Sequence, residues 1–181
     1  MRVLVVVASR HGATRGIAER ITAEPSNRGV DVALRSPEGA GDPADYDAFV
    51  IGSAVYAFHW LKEAAGFVRH NQSLLAKRPV WLFSSGPLGH DTVDAEGNDV
   101  RADAAPREAA EFEAAIRPRD HRVFFGAYDP AAKPIGLIER VSRILPATKD
   151  LMQSGDFRPW EEIDAWAAEI AEELGAVPAA R

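Results

Sequence analysis

A short polar stretch between an apolar run and a helical pattern carries the strongest sign of chemistry. Its six residues are Ser9, Arg10, His11, Gly12, Ala13 and Thr14. A helix that starts here exposes unpaired N–H groups at the positive end of its dipole, which attracts phosphate. Hydroxyls at Ser9 and Thr14 add donors, and Gly12 lets the backbone wrap closely around an anion. The stretch matches neither the dinucleotide fingerprint nor the Walker motif, so a phosphate loop of another kind and an ordinary capped turn are the two interpretations.

A second stretch, rich in aromatic residues, runs from Gly52 to Trp60 and also follows an apolar run. Exposed aromatic side chains beside a phosphate loop are typical of sites where a flat ring stacks. We predict ring contacts at four consecutive positions, Ala54, Val55, Tyr56 and Ala57. Tyr56 is the expected stacking partner, whereas Trp60 is expected to pack at the start of a helix.

A third stretch of small residues follows the next apolar run along the chain. Its six residues are Ser84, Ser85, Gly86, Pro87, Leu88 and Gly89. Serine, glycine and proline favour a tight turn, whose N–H and C=O groups are available to the polar edge of a heterocycle. An ordinary loop between a strand and a helix is the alternative interpretation.

Strands and helices must position these stretches, and the hydrophobic pattern predicts both. Near-continuous β-branched and apolar runs are typical of strands that are covered on both faces of a parallel sheet. Five such runs occur, at Val3 to Ala8, Val30 to Leu34, Ala48 to Ser53, Val80 to Phe83 and Arg122 to Phe125. Helical spacing of apolar residues predicts helices over Gly16 to Arg28, Trp60 to Leu75, Ala104 to Ile116 and Trp160 to Leu174.

The alternation of strands and helices predicts an α/β fold, a doubly wound five-stranded parallel sheet. In the strand order 2-1-3-4-5 the switch point falls between the first and third strands, so the three stretches meet at one edge. We expect a single domain over residues 1–175 and a frayed tail over 176–181. A long insertion, Ala127 to Pro159, precedes the last helix.

Composition narrows the possible functions. The chain has 181 residues and a formal net charge of -6, which disfavours general nucleic-acid binding because that binding depends on Lys and Arg. It has no cysteine, which excludes disulfides, iron–sulfur ligation and a thiol nucleophile. No metal site is expected. The first apolar run is too short for a signal peptide or a membrane span, so a cytoplasmic location is expected.

Together the three stretches resemble the flavodoxin superfamily. Ser9-x-x-Gly12-x-Thr14 is similar to its phosphate loop, and the other two stretches stand where that family has its flavin-ring loops. The resemblance implies a flavodoxin-like fold that binds one FMN through the sixteen residues proposed above. His11 stands where flavodoxins usually carry Ser, Thr or an acid. The ring loops lack the tryptophan and tyrosine pair that encloses FMN in many flavodoxins, so Tyr56 is the one obvious ring partner.

A closer resemblance is to flavodoxin-domain proteins related to menaquinone-dependent protoporphyrinogen oxidase. The shared features are Gly52-Ser53-Ala54-Val55-Tyr56 followed by His59, the long segment after Phe124-Phe125-Gly126-Ala127, and Asp156-Phe157-x-x-Trp160. This resemblance implies an FMN-dependent oxidoreductase with a quinone or porphyrinogen-like substrate. One alternative is an electron carrier that docks on donor and acceptor proteins and has no substrate of its own. A further alternative is a structural homologue that is used for binding and has no flavin.

The pattern identifies no general acid or base. His59 is the first catalytic candidate, because histidine is the side-chain type that changes its charge near neutral pH and this one stands beside a ring loop. Basic residues near the loops, Arg10 and Lys62 among them, predict a rim that stabilises reduced, anionic FMN and attracts anionic substrates. Solvated loop positions are the alternative interpretation of these side chains.

The insertion contains an apolar stripe at helical spacing, Ile135 to Leu145, accompanied by basic residues. An amphipathic helix over residues 131–150, bounded by prolines, can touch the anionic inner face of a membrane. It can also cover the flavin side of the domain and set substrate access. Packing against the domain, with the basic residues merely solvated, is the alternative.

Overall fold

A computed structural model describes residues 1–135 and 154–176, and its centre is a parallel sheet. The strands of this sheet are β1 (Arg2–Ala8), β2 (Asp31–Arg35), β3 (Ala48–Tyr56), β4 (His59–Trp60), β5 (Val80–Ser85) and β6 (Asp120–Phe124). The five long strands lie in the order β2-β1-β3-β5-β6 and are all parallel, while β4 pairs antiparallel with the end of β3. Each long strand overlaps a predicted apolar run. The order is the predicted 2-1-3-4-5, so the predicted fold class is confirmed.

Helices connect the strands. They are α1 (Ala13–Asn27), α2 (Lys62–His70), α3 (Gln72–Leu75), α4 (Val100–Asp103), α5 (Ala109–Ile116) and α6 (Trp160–Ala176). Two short 3-10 turns, Pro37–Gly39 and Pro43–Asp45, lie between β2 and β3. No helix within the described residues is long and apolar enough to cross a membrane.

Side chains of β1 alternate between two hydrophobic cores. Leu4 and Val6 belong to the core that includes side chains of α2 and α5. Val3, Val5 and Val7 belong to the core that includes side chains of α1 and α6. Because successive side chains of a strand point to opposite faces, a strand covered on both faces needs an uninterrupted apolar run. That requirement explains the run in the sequence of β1.

The helix α6 covers the second core. Its buried apolar residues recur three or four positions apart, which is the spacing of one helix face, and are Ile163, Trp166, Ile170 and Leu174. The Trp166 ring lies edge-on against Phe124, with 5.6 Å between the ring centroids. The same helix packs along α1, so the first and last helices lie side by side.

The helix predicted over Trp60 to Leu75 is wrong at its start and at its centre. Trp60 belongs to the short strand β4, which pairs with Val55 of β3, and the helix begins at Lys62. Asn71 separates α2 from α3, and its side-chain amide donates to the carbonyl of Phe67 at 2.9 Å. Asparagine competes in this way with the helical hydrogen bonds of the backbone.

The helix predicted over Ala104 to Ile116 is also wrong in its first part. The helix α4 begins earlier, where the side chain of Asp99 accepts hydrogen bonds from the N–H groups of Arg101 and Ala102. Pro106 then stands between α4 and α5. Proline has no N–H and clashes with the preceding helical turn, so it separates two short helices where spacing alone predicted one.

Two short strands mark the ends of the insertion. Strand β7 (Ala127–Tyr128) pairs antiparallel with β8 (Gly155–Asp156), just before α6. The amphipathic helix predicted within residues 131–150 lies largely outside the described residues.

Candidate cofactor-binding site

A cleft of about 140 Å³ lies at the carboxyl ends of β1, β3, β5 and β6. Ser9, Arg10, His11, Ala13, Thr14, Ala54, Val55, Tyr56, Ser85, Gly86, Leu88, Gly126, Ala127, Tyr128 and Asp129 line it. Eleven of these come from the three stretches singled out in the sequence. The strand order explains the convergence, because β1 and β3 are neighbours at the switch point of the sheet.

The first wall of the cleft is the turn between β1 and α1. Gly12 has φ +86°, a left-handed conformation that suits glycine, and its N–H donates to the hydroxyl oxygen of Ser9 at 3.1 Å. No described side chain caps the amino end of α1. Thr14, in the first turn of the helix, is only 2% exposed although it lines the cleft. The N–H groups of this turn and the hydroxyl of Thr14 are suited to an anion.

The second wall is the end of β3, which leads into a strained hairpin. Ala57 and Phe58 form the two-residue turn between β3 and β4, with φ +50° and +63°. A turn of this kind normally takes Asn or Gly, because other side chains disfavour left-handed backbone by about 1–3 kcal/mol each. Tyr56 precedes the turn and lines the cleft. The Arg10 guanidinium carbon lies 4.4 Å from the centre of the Tyr56 ring.

Residues that do not line the cleft anchor the hairpin. The Nδ1 atom of His59 lies 2.8 Å from one carboxylate oxygen of Glu108, and the other oxygen accepts from the N–H of Trp60 at 3.2 Å. Burial raises the pKa of Glu108, but the hydrogen bonds from His59 and from backbone N–H groups outweigh it, so the net shift is downward. His59, the first catalytic candidate, therefore bonds to a carboxylate and is not among the residues that line the cleft.

The third wall is the end of β5, where two neighbouring serines point in different directions. Ser85 lines the cleft, but Ser84 is fully buried below it. The hydroxyl oxygen of Ser84 accepts from the indole N–H of Trp60 at 2.8 Å and lies 2.9 Å from Nε2 of His121. Burial lowers the pKa of His121, against a smaller opposing effect of Asp120. Because the indole only donates, a neutral His121 that accepts the Ser84 hydroxyl proton completes the network.

A fourth wall, not identified in the sequence, is the turn that follows β6. Gly126 donates its N–H to the carbonyl of Pro87 at 2.8 Å, and its own carbonyl accepts from Phe157 at 3.0 Å. A Cβ at Gly126 would lie 3.3 Å from the Ser85 hydroxyl, so glycine allows the two loops to approach closely. These residues follow β6, which is the fifth of the predicted strands, at the same edge of the sheet. That position after a predicted strand could have identified them from the sequence.

Five predicted cofactor-binding residues do not line the cleft. They are Gly12, Ala57, Ser84, Pro87 and Gly89. Gly12 and Gly89 act through the backbone, with φ +86° and +107°, and each shapes the loop that carries its neighbours. Ala57 is in the hairpin turn, and Ser84 bonds beneath the cleft.

The charged groups that line the cleft are few. Arg10 also donates to the carbonyl of Ile135 at 3.2 Å, and Asp129 is the acidic residue that lines the cleft. Arg158 contacts the turn between β1 and α1, where it donates to the carbonyl of Ala13 at 3.1 Å, and it pairs with Asp156 at 2.6 Å. Among residues 1–135 and 154–176, no cluster of three or more His, Asp or Glu is suited to a metal ion.

The donor set fits a flat molecule that carries one phosphate. An uncapped helix end with a buried threonine suits the phosphate, and backbone turns with a tyrosine suit a polar-edged ring. Glycine at position 86 lets the loop after β5 lie close to the end of β3, since a Cβ there would lie 3.1 Å from Cβ of Val55. The residues therefore fit a flavin mononucleotide.

Comparison with known proteins gives one family match. A family model described as flavodoxin domain matches residues 4–132. The search among curated proteins found no match.

Solved structures share the fold over almost the whole chain. A flavodoxin from the domain Archaea is 20% identical with a TM-score of 0.57, covering 97% of this chain and 99% of its own. Oxidised flavodoxin 2 from Bacillus cereus is 18% identical with a TM-score of 0.58 and coverages of 96% and 99%. Rubredoxin oxygen:oxidoreductase from Desulfovibrio gigas is 16% identical with a TM-score of 0.59, covering 99% of this chain but 37% of its own. At these identities the likeness shows a shared fold.

Proposed function

This chain belongs to the flavodoxin domain family, whose members bind FMN, and we propose that it binds one FMN and transfers electrons. The observation that carries the proposal is the cleft, where four loops meet around an uncapped helix end and a tyrosine ring. FMN supplies the redox chemistry when bound, while the protein sets its binding, orientation and electrostatic surroundings.

The residues of the cleft divide into two sets by their chemistry. For the phosphate, the N–H groups of Ala13 and Thr14 and the Thr14 hydroxyl are the proposed donors, with Gly12 shaping the turn. For the ring, Tyr56 offers a flat apolar surface. The N–H of Gly86 already donates to the carbonyl of Phe124 at 3.3 Å, so the carbonyl oxygen of Gly86 is the proposed acceptor for the ring edge. Arg10 adds a positive charge beside Tyr56, which favours a reduced, anionic flavin.

A titration with two flavins tests the proposal. We expect the apoprotein to quench FMN fluorescence at one equivalent and to bind FAD more weakly, because it has one phosphate loop and no dinucleotide fingerprint. Equal or tighter binding of FAD would contradict the assignment. The absence of binding by either flavin would leave the family fold without a flavin function.

We further propose an oxidoreductase with a quinone or porphyrinogen-like substrate. The positive charge of Arg10 at the cleft supports the porphyrinogen-like substrate, because such a charge attracts the carboxylates that a porphyrinogen carries. A quinone is uncharged and gains nothing from this charge. His59 stays the first candidate for proton transfer within this proposal, although it bonds to Glu108 and does not line the cleft. Contact of residues 131–150 with a membrane surface belongs to the same proposal.

A second candidate is an electron carrier that docks on donor and acceptor proteins. The family supports this candidate, because flavodoxin-like proteins typically transfer electrons to partner proteins. It is also supported by the position of His59, the catalytic candidate, which does not line the cleft. Reoxidation of the reduced holoprotein separates the two candidates. Fast reoxidation by quinones supports the oxidoreductase, and fast reoxidation by a one-electron protein acceptor alone supports the carrier.

A further inference from the structure

We propose that Glu108 is the positioning residue of the hairpin that faces the FMN ring. The proposal rests on the FMN site proposed above. It states that Glu108 holds Ala57 and Phe58 in a strained turn and thereby fixes Tyr56 against the flavin. Glu108 itself touches neither the cleft nor, in this proposal, the cofactor.

The residues of the turn between β3 and β4 do not by themselves offset its backbone strain. A two-residue turn with positive φ at both positions is free of this strain when it contains Asn or Gly, and here it contains Ala and Phe. The Phe58 side chain is 55% exposed, so burial of its ring does not offset the strain. Residues in such conformations persist when the surrounding structure over-determines them. Contacts of the flanking residues must therefore supply the stabilisation.

Glu108 supplies two of these contacts from one carboxylate. One oxygen lies 2.8 Å from Nδ1 of His59, and the other accepts from the N–H of Trp60. The adjacent residue, Arg107, donates its N–H to the carbonyl of Phe58 at 2.9 Å. Two successive residues that lead into α5 thus hold three successive residues of the hairpin, which are Phe58, His59 and Trp60.

The carboxylate is well placed to stay charged although it is buried. Glu108 is 9% exposed and stands at the amino end of α5, where the helix dipole favours an anion. A buried carboxylate without partners is strongly disfavoured. The hydrogen bonds to the hairpin therefore also stabilise the charged form of Glu108.

The pairing of β3 with β4 carries the effect to the cleft. Tyr56 lies directly opposite His59 in this pairing, and Val55 lies opposite Trp60. Tyr56 and Val55 both line the cleft. A change in how Glu108 holds His59 and Trp60 therefore moves the two residues of β3 that face the ring.

The test compares two acidic residues at the same helix. Glu108→Ala removes both bonds to the hairpin, whereas Glu111→Ala removes an ion pair with Arg69 at 2.7 Å on the surface. We expect Glu108→Ala to raise the Kd for FMN about tenfold, to shift the midpoint potential of bound FMN and to speed amide exchange at Trp60. Glu111→Ala should leave all three as in the parent.

A second pair of substitutions separates positioning from general stability. Ala57→Gly with Phe58→Gly makes the turn intrinsically favourable, so it should restore most of the FMN affinity that Glu108→Ala loses. If glycine does not restore it, Glu108 supports the fold in general and the proposal is wrong. Should Glu108→Ala fail to fold, Glu108→Gln, which keeps the volume and one acceptor, replaces it with an expected increase in Kd of about threefold.

The outcomes also separate this proposal from the FMN site on which it rests. If the parent protein does not bind FMN, the proposed function fails, whatever the amide exchange at Trp60 shows. If the parent binds FMN, but the Glu108 and Glu111 variants have the same affinity and potential, the positioning role alone is overturned.

Discussion

Thr14 combines two properties that a phosphate ligand needs. Its side chain is 2% exposed, so its conformation is fixed by packing, and it still lines the cleft at the first turn of α1. A hydroxyl held in this way loses little entropy when it binds an anion, because its rotamer is already restricted.

Replacing Thr14 by Ala should therefore weaken FMN binding by about 1–3 kcal/mol, which is the usual range for one hydrogen bond to a charged group. Thr14→Ser keeps the hydroxyl and should retain most of the affinity. Fluorescence titration of both apoproteins measures the difference. Equal affinity of Thr14→Ala and the parent would mean that the phosphate binds elsewhere.

Gly12 offers a second test of the phosphate loop. A Cβ at this position would meet no described atom within 4 Å, so the protein around it does not obstruct a Cβ. The cost of Gly12→Val arises from φ +86°, which disfavours a β-branched residue by about 1–3 kcal/mol. Asparagine tolerates this conformation, so Gly12→Asn should bind FMN more tightly than Gly12→Val. The reverse ranking would contradict a purely conformational cost.

At the residue scale, the sequence predicts which loops form the cleft but not every side chain in it. The rule that ligands bind beyond the carboxyl ends of parallel strands is sufficient to predict that Tyr56 and Thr14 line the cleft. The predicted ring loop includes Ser84, although the alternation along a strand places its side chain opposite that of Ser85. Glu108 had no local signal, because its role depends on a contact with His59 across 49 positions.

At the scale of elements, the strands were predictable because each is buried on both faces and needs a continuous apolar run. The hairpin β3–β4 was not, because its turn lacks the Asn-Gly or Asp-Gly pair that signals such a connection. The aromatic residues around it therefore resembled a helix start. Helix spacing likewise continued through Asn71 and Pro106, which interrupt the helices for local reasons.

The strand β3 contains a glycine that packing requires. A Cβ at Gly52 would lie 2.0 Å from the ring of Phe83 on β5, in the centre of the sheet. We expect Gly52→Ala to lower the free energy of unfolding, measured with urea, by about 1–3 kcal/mol or more, since overpacking forces neighbours out of place.

In the helix α2, a Cβ added at Gly66 would meet nothing within 4 Å. Gly66→Ala should therefore raise the free energy of unfolding by about 0.5–1 kcal/mol in the same urea experiment.

The network beneath the ring loops makes the stability of β5 and β6 depend on pH. Burial lowers the pKa of His121 in the folded protein, so below about pH 6.5 the unfolded chain binds more protons than the folded one. The contribution of His121 to stability is therefore complete above that pH and is lost as the pH falls towards the lowered value. His121→Gln should flatten the dependence of stability on pH below about pH 6.5, which urea unfolding at a series of pH values measures.

At the scale of the whole molecule, the two cores are completed at very different points of the sequence. The core around α2 and α5 uses residues up to Ile116, whereas the core around α1 needs Ile163, Trp166, Ile170 and Leu174 from α6. The second core therefore depends on contacts between the two ends of the described chain, which raises the contact order of the fold.

Removing α6 tests this dependence. A chain that ends at Pro159 exposes Ile17 and Ile21 of α1, which are at most 1% exposed in the structure. We expect this chain to be recovered mainly as aggregates, or to bind a hydrophobic dye strongly and lack a cooperative unfolding transition. A compact, cooperative truncated protein would show that α6 is dispensable for folding.

The side-by-side packing of α1 and α6 has a consequence for biosynthesis. A ribosome makes α1 first and α6 more than a hundred residues later, so the apolar face of α1 has no partner while the intervening residues are made. At about 5–20 residues per second that delay lasts many seconds, long enough for nascent chains on one messenger to encounter each other. A chaperone that shields the emerging amino-terminal half should therefore raise the yield of this protein more than one supplied after release.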